Sequence, residues 1–141
     1  MTVMARVSRT VRQVALAVAT EPTTFSIVVP AFNERDDITA TLDAVVAQRH
    51  RPKEVIVVDG GSTDGTRELL RQRAARDAIT LIEEPRRRGV AAARNAGIDA
   101  ATGDVVVILN ADVVPPPDFL QRLDEAYRRG AGMVSVQSRV I

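Results

Sequence analysis

The chain has 141 residues, 45% of them hydrophobic and 26% charged, the make-up of one soluble globular domain. That length buries a core without covalent staples, and the absence of cysteine removes a disulfide framework and fits a reducing compartment. The net charge of +1, with no basic face in the spacing, gives no support to a nucleic-acid partner, and no apolar run reaches the ~18 residues of a transmembrane segment.

Residues 1–24 come first, with Arg6, Arg9 and Arg12 ahead of a short apolar run from Val14 to Ala19. That run is too short and too poorly flanked for a signal peptide, so a flexible or weakly helical extension is expected, with membrane-surface contact as the lesser reading. From Phe25 to Ile141 a single domain is expected, in which β-branched runs alternate with helical patterns. "FSIVV" (25–29) predicts a strand closed by Pro30, and Ile38, Leu42, Val45 and Val46 then recur at helical spacing. "EVIVVD" (54–59) predicts the next strand, followed by a helix through Leu69, Leu70 and Ala74. "ITLIEE" (79–84) is a third strand, and "VAAARNAGIDAA" (90–101) a helix with a small-residue face. "DVVVIL" (104–109) is a fourth strand, and a helix from about Pro117 to Arg128 buries Phe119, Leu120, Leu123 and Tyr127. "GMVSVQSRVI" (132–141) reads as a last strand, an apolar edge open to self-association or partner pairing. Strands apolar on both faces, separated by single helices, imply an α/β fold: a mostly parallel sheet in three layers.

In such sheets ligands sit in the crevice beyond the carboxyl ends of the strands. The first exit, "PAFNERD", has neither G-x-G-x-x-G nor G-x-x-x-x-G-K-[ST], which removes the dinucleotide-binding and P-loop readings. Pro30 as a strand stop and Asn33 as an N-cap with Asp36 account for much of it, leaving Glu34 as an acid in a first helical turn. In the second exit, "DGGSTDGT", Gly60 and Gly61 permit a tight turn or a close backbone approach to a ligand, which makes Gly60 a candidate nucleotide-binding position, and Ser62, Thr63 and Asp64 offer cap oxygens. Asp59 ends the strand with a carboxylate expected to point into the crevice, where it serves a turn or accepts from a nucleobase N–H or ribose hydroxyls. Arg86, Arg87 and Arg88 read as a solvated loop. Arg94 and Asn95 face either the crevice or solvent, and His50, the one histidine, is given no catalytic role. Asp112 is chemically sufficient to hold Mg²⁺ or Mn²⁺ if a diphosphate supplies other oxygens. Taken alone, "NAD" before Pro115–Pro117 reads first as a polar turn.

Together, "SIVVPAFNE", "EVIVVDGGSTDGT", "GVAAARNAGIDAATGDVVVILNAD" and "PPPDFLQRL" resemble, in order and spacing, the nucleotide-sugar half of family-2 glycosyltransferases with the GT-A fold. The resemblance implies that Pro30, Ala31, Phe32, Glu34 and Asp59 contact base and ribose. It implies that Asn110, Ala111 and Asp112 form a D-x-D-like segment binding ribose, diphosphate and a divalent metal held by Asp112, with Arg94 close to the nucleotide. Two positions depart from the family: Gly60 stands where many members carry a second aspartate, and Asn110 replaces the first acid of D-x-D. The family's general base and acceptor site come from the second half of the domain, beyond these residues. The chain is therefore expected to carry the leaving-group side of an inverting transfer from a UDP-sugar, favoured over a GDP-sugar, to a hydroxyl acceptor. A cytoplasmic location is expected, with membrane association in a longer form. The rival reading is a non-catalytic nucleotide-binding module or degenerate fragment. A nucleotidyltransferase is disfavoured, because no Gly-rich, Lys/Arg-bearing loop follows the first strand of the domain.

Overall fold

The computed structural model describes residues 2–5, 22–130 and 133–135, with side chains described for 22–130. The strands are β1 (Thr2–Ala5), β2 (Phe25–Ala31), β3 (Glu54–Asp59), β4 (Ile79–Glu83), β5 (Val105–Ile108) and β6 (Met133–Ser135). The helices are α1 (Ile38–Val46), α2 (Thr66–Arg76), α3 (Val90–Ala100) and α4 (Phe119–Arg128). The strands form one sheet in the order β4-β3-β2-β5-β1-β6. Its four-strand centre, β4-β3-β2-β5, is parallel throughout, while β1 runs antiparallel to both β5 and β6. The expected α/β fold with a mostly parallel sheet is what forms.

Three features differ from the sequence expectation. Thr2–Ala5, read as part of a flexible or weakly helical extension, are a strand paired with Val105–Ile108. Residues 6–21 lie outside the described residues, as do 136–141 of the expected last strand, of which Met133–Ser135 form an edge of the sheet. Pro30 does not close β2: it stays in register opposite Val58, and the strand runs on to Ala31. Tyr127, expected to be buried, is 37% exposed.

Alternation along each strand divides the core between the two faces of the sheet. Ile27, Val29, Val55, Val57, Val105 and Val107 pack against Ile38, Leu42 and Val45 of α1, Leu70 of α2, and Phe119, Leu120 and Leu123 of α4. Val28, Ile56, Val58, Val106 and Ile108 pack on the other face with Ala93 and Ala96 of α3. The second face is covered thinly, because α3 presents small residues and lies close to the sheet. A Cβ at Gly97 would fall on Val28 Cγ1 and lie 3.2 Å from Val28 Cγ2.

Two clasps fix the ends of the elements. Gln48 donates from Nε2 to the Pro116 carbonyl at 2.7 Å and accepts from the Leu120 amide at 3.1 Å, tying α1 to the proline segment and to the start of α4. On β2, the buried Ser26 hydroxyl donates to Glu54 and accepts from the Gly103 amide at 2.8 Å.

Gly97→Ala tests the close approach. In an unencumbered helix interior this change stabilises by about 1 kcal/mol. Here the added methyl meets Val28, and a loss of about 1–3 kcal/mol is expected from overpacking. Urea denaturation reads the sign, and Val28→Ala in the same chain recovers part of the loss; a stabilised Gly97→Ala would show that α3 does not lie this close.

Candidate functional site

A cavity of about 430 Å³ opens at the carboxyl end of the parallel strands, on the α3 side of the sheet. Side-chain alternation decides which residues reach it. In β2, Val28 faces α3, and so do Pro30 and Phe32 beyond it; in β3 the same face continues to Gly60, and in β5 to Asn110 and Asp112. Glu34 and Ala31 complete this wall. Val90, Ala93 and Arg94 of α3 form the opposite side, joined by Gly89 and Arg87 from the loop after β4.

Nine of the ten residues expected at the site therefore line one crevice; Asp59 is the exception. Its side chain follows Val55 and Val57 onto the α2 face and is fully buried. There Oδ2 accepts from Arg67 Nε at 2.7 Å, with Arg67 Nη2 also 2.7 Å away, and the carboxylate accepts from the Gly61 and Ser62 amides at 3.3 Å. The expectation that Asp59 points into the crevice is corrected: it pins the turn from beneath, and Gly60 occupies the crevice wall. Asn33 is also corrected. It is not the cap of α1, whose N-cap is Asp37; it has a φ of 54° and joins the first two strand exits. Its amide donates to Ser62 Oγ at 3.0 Å, and its Oδ1 accepts from the Thr63 amide at 2.9 Å.

The acidic residues are held by neighbouring elements. The Glu34 amide donates to Thr66 Oγ1 at 2.9 Å. The turn carrying Asn110–Asp112 is tied to α1 by the Thr41 hydroxyl, which donates to the Ala111 carbonyl at 2.6 Å in the core. Burial, and then the negative charges of Asp112, Asp37 and Asp64, raise the Glu34 pKa above its usual 4.5. The Glu34 and Asp112 carboxylates therefore sense each other across the wall, a repulsion that a bound cation relieves. No group of three His, Cys, Asp or Glu residues placed to hold a metal ion exists among the described residues. Asp112, Glu34 and the Asn110 amide oxygen are hard donors that suit Mg²⁺ or Mn²⁺ only if ligand oxygens and water supply the rest.

The basic side comes from α3 and the arginine loop. Arg94 Nη2 lies 3.5 Å from Asn110 Oδ1, while its Nε is buried without a hydrogen-bond partner. Arg94 lines the crevice, and its guanidinium brings cationic donor character to that wall. Arg87, read from the sequence as solvated loop, instead stacks on Phe32, with its guanidinium carbon 4.3 Å from the ring centroid. Its backbone sits on Gly61, whose φ is +92° and where a Cβ would meet the Arg87 nitrogen at 3.2 Å. The one sequence signal for this seat was the second glycine of "DGG". Asn95 is exposed, and His50 bonds the Thr23 carbonyl through Nε2 at 2.9 Å, outside the crevice.

Comparison with known proteins gives this arrangement a family context. The sequence model described as Glycosyl transferase family 2 matches residues 26–141. The undecaprenyl-phosphate 4-deoxy-4-formamido-L-arabinose transferase of Aeromonas hydrophila is 39% identical over 119 residues, covering 81% of this chain and 36% of that protein. The mannosyltransferase PcManGT from Pyrobaculum calidifontis, solved in complex with GDP-Man and Mn²⁺, superposes with a TM-score of 0.66 at 39% identity, over 77% of this chain and 32% of its own. S. aureus TarS 1-349 in complex with UDP-GlcNAc gives a TM-score of 0.67 at 25% identity, over 75% of this chain and 31% of its own. The chain spans about a third of the length of the curated relatives it matches.

The Glu34–Asp112 repulsion is open to a direct test. A carboxyl whose folded-state pKa is raised contributes stability that is complete below the unfolded value of 4.5 and is lost as pH rises through the folded pKa. Asp112→Asn is expected to move the Glu34 pKa down toward 4.5, with the part due to burial remaining. Side-chain carboxyl NMR across the acid range measures it; an unmoved Glu34 titration would place the two groups out of electrostatic reach.

Proposed function

The chain belongs to glycosyltransferase family 2, and from that premise we propose that its crevice holds the nucleotide diphosphate of a sugar donor, for inverting transfer of the sugar to a hydroxyl acceptor. One observation carries the reading: a single crevice sets the hard-oxygen donors Glu34, Asn110 and Asp112 opposite the cationic Arg94 and Arg87, with Phe32 and Pro30 as apolar surface between them.

Each residue then has a role that follows from its chemistry. Phe32, backed by the Arg87 guanidinium, offers a face on which a base stacks, and Gly60 keeps the adjacent wall free of a side chain. Arg94, which lines the crevice, donates from its guanidinium to a diphosphate oxygen. Asp112 holds the cation, assisted by Asn110 and by Glu34 in its ionised form. A bound Mg²⁺ or Mn²⁺ supplies charge neutralisation on the departing diphosphate. Together with the crevice dipoles, Arg94 and Arg87 steady the charge that develops there as the anomeric bond breaks. The acceptor hydroxyl attacks from the opposite face and gives its proton to a carboxylate base. In this reading that base lies outside the crevice residues, which all serve the leaving group.

A UDP-sugar is the first candidate donor. GDP-sugars stand second, supported by the GDP-Man complex of PcManGT. The rival reading, a nucleotide-binding module without transfer, shares the crevice and differs in needing no metal. Self-association along β6, the strand at the β1 edge of the sheet, belongs to the same proposal. A monodisperse monomer in sedimentation at high concentration would remove it.

Calorimetric titration with UDP and GDP, with and without Mn²⁺, separates the two functional readings. Metal is expected to tighten binding by tenfold or more, a change of about 1.4 kcal/mol. Asp112→Ala is expected to abolish the dependence, and the metal effect in the parent chain to weaken as Glu34 is protonated at acid pH. Metal-independent binding supports the module, and a folded chain that binds neither nucleotide sinks the donor site.

A further inference from the structure

Just beyond the end of β4 stands a carboxylate that the fold leaves partly unused. Glu84 is 6% exposed, and its Oε2 is buried with no hydrogen-bond partner among the described residues. Leaving a buried carboxylate oxygen unpaired is costly, so the group calls for an account. Its backbone is fixed from two sides: the Glu84 amide donates to the Asp59 carbonyl, and the Glu84 carbonyl accepts from Arg67 Nη2, both at 2.9 Å.

Alternation sets the face on which the side chain falls. Leu81 packs on the α2 side, Ile82 on the α3 side, and Glu83 turns back to Arg67 and Arg71. Glu84 is next, on the α3 side, where the crevice lies. Asp59 stands opposite Glu83 in the β3–β4 register, which puts Glu84 beside Gly60. Gly60 and Arg87, on either flank of Glu84, both line the crevice. The lane past Gly60 is open, since a Cβ there would meet only the Ala31 carbonyl oxygen at 3.5 Å and Phe32 Cβ at 3.9 Å.

The span of the sheet says what reaches this place. Asn110 and Asp112 follow β5, which stands three strands from β4, about 14 Å at ordinary strand spacing. A nucleoside diphosphate laid across the strand ends covers that distance, its diphosphate at Asp112 and Arg94 and its base on Phe32. An ionised carboxylate only accepts hydrogen bonds, so it favours a base edge that donates. Uracil N3 and guanine N1 carry hydrogen, whereas cytosine N3 and adenine N1 present lone pairs.

We propose that Glu84 selects the nucleobase. Its carboxylate accepts the ring N–H of uracil or guanine as the base edge passes over Gly60, and it disfavours cytosine and adenine. The assignment rests on the donor-site reading and adds to it a residue of the edge strand that chooses the base.

Calorimetric titration of the full chain with UDP, CDP, GDP and ADP in the presence of Mn²⁺ tests this. UDP is expected to bind about tenfold or more tightly than CDP, or GDP than ADP, the scale of a hydrogen bond to a charged acceptor. Whichever pair shows the preference names the base, and either supports the assignment. Glu84→Gln puts a group that both donates and accepts in the same place. It is expected to cost the preferred nucleotide about tenfold while its partner holds or gains, at an unchanged unfolding midpoint. Gly60→Asp added to that variant returns a carboxylate from the neighbouring strand and is expected to restore the preference. Equal affinities within both pairs in the parent chain overturn the assignment whether or not the variant folds. So does a Glu84→Gln chain that keeps its preference, or one that weakens all four ligands alike, as a merely structural group would; in these cases the donor site stands. A folded chain that binds none of the four removes the donor site and the assignment together.

Discussion

The approach of α3 to β2 at Gly97 and Val28 sets the position of everything on that side of the sheet. Because Gly97 has no side chain and Ala93 and Ala96 have small ones, the helix lies almost on the strand. One turn back from Gly97, Arg94 and Ala93 are held at the crevice wall, and another turn back Val90 reaches the mouth. A bulkier helix face would lift Arg94 away from Asn110. The thin packing that looks like an economy of core is thus what gives the crevice its depth and its cation.

Charge is sorted between the two faces of the sheet by the same alternation that sorts the core. Asp59 and Glu83 fall on the α2 face, where Arg67 and Arg71 meet them. Glu34, Asn110 and Asp112 fall on the crevice side, where Arg94 and Arg87 stand opposite. The buried Asp59–Arg67 pair keeps a carboxylate out of the ligand space while using it to hold the Gly61 and Ser62 amides. Its worth to the molecule is a fixed turn more than net stability, since burying two charges costs nearly what their attraction returns.

The parallel centre was legible because its strands are apolar on both faces and each is followed by a helical pattern. The location of the crevice followed from that architecture, and eight of its lining residues from the strand exits, with Arg94 of α3 added by the family resemblance. Asp59 was misplaced because its position at a strand end was weighed and its parity was not: Val55 and Val57 already pointed to the α2 side. Arg87 was missed because a run of three arginines carries no sign of which one folds inward; Phe32 and Gly61 decide that, and both are distant in sequence. Asn33 has a capping residue's chemistry but spends it on Ser62 and Thr63, a tertiary choice that local spacing does not encode. Thr2–Ala5 offered four residues and no turn signal, too little for a strand whose pairing comes from β5.

That first strand bears on how the chain assembles. β3 pairs with β2 and β4 through adjacent βα units, Val28 with Ile56 and Val57 with Leu81, whereas β1 must bring Val3 against Val107. Closing so long a loop costs more entropy and returns nothing until β5 is in place. The half of the sheet that bears Phe32 and Gly60 has the means to form early, and the β1–β5 pairing is expected to close last. A chain caught before that step holds β5 as a bare strand edge with Val105–Ile108 unpaired on one side. Such an edge is a template for other chains, so the last pairing to close is also the one that guards against aggregation.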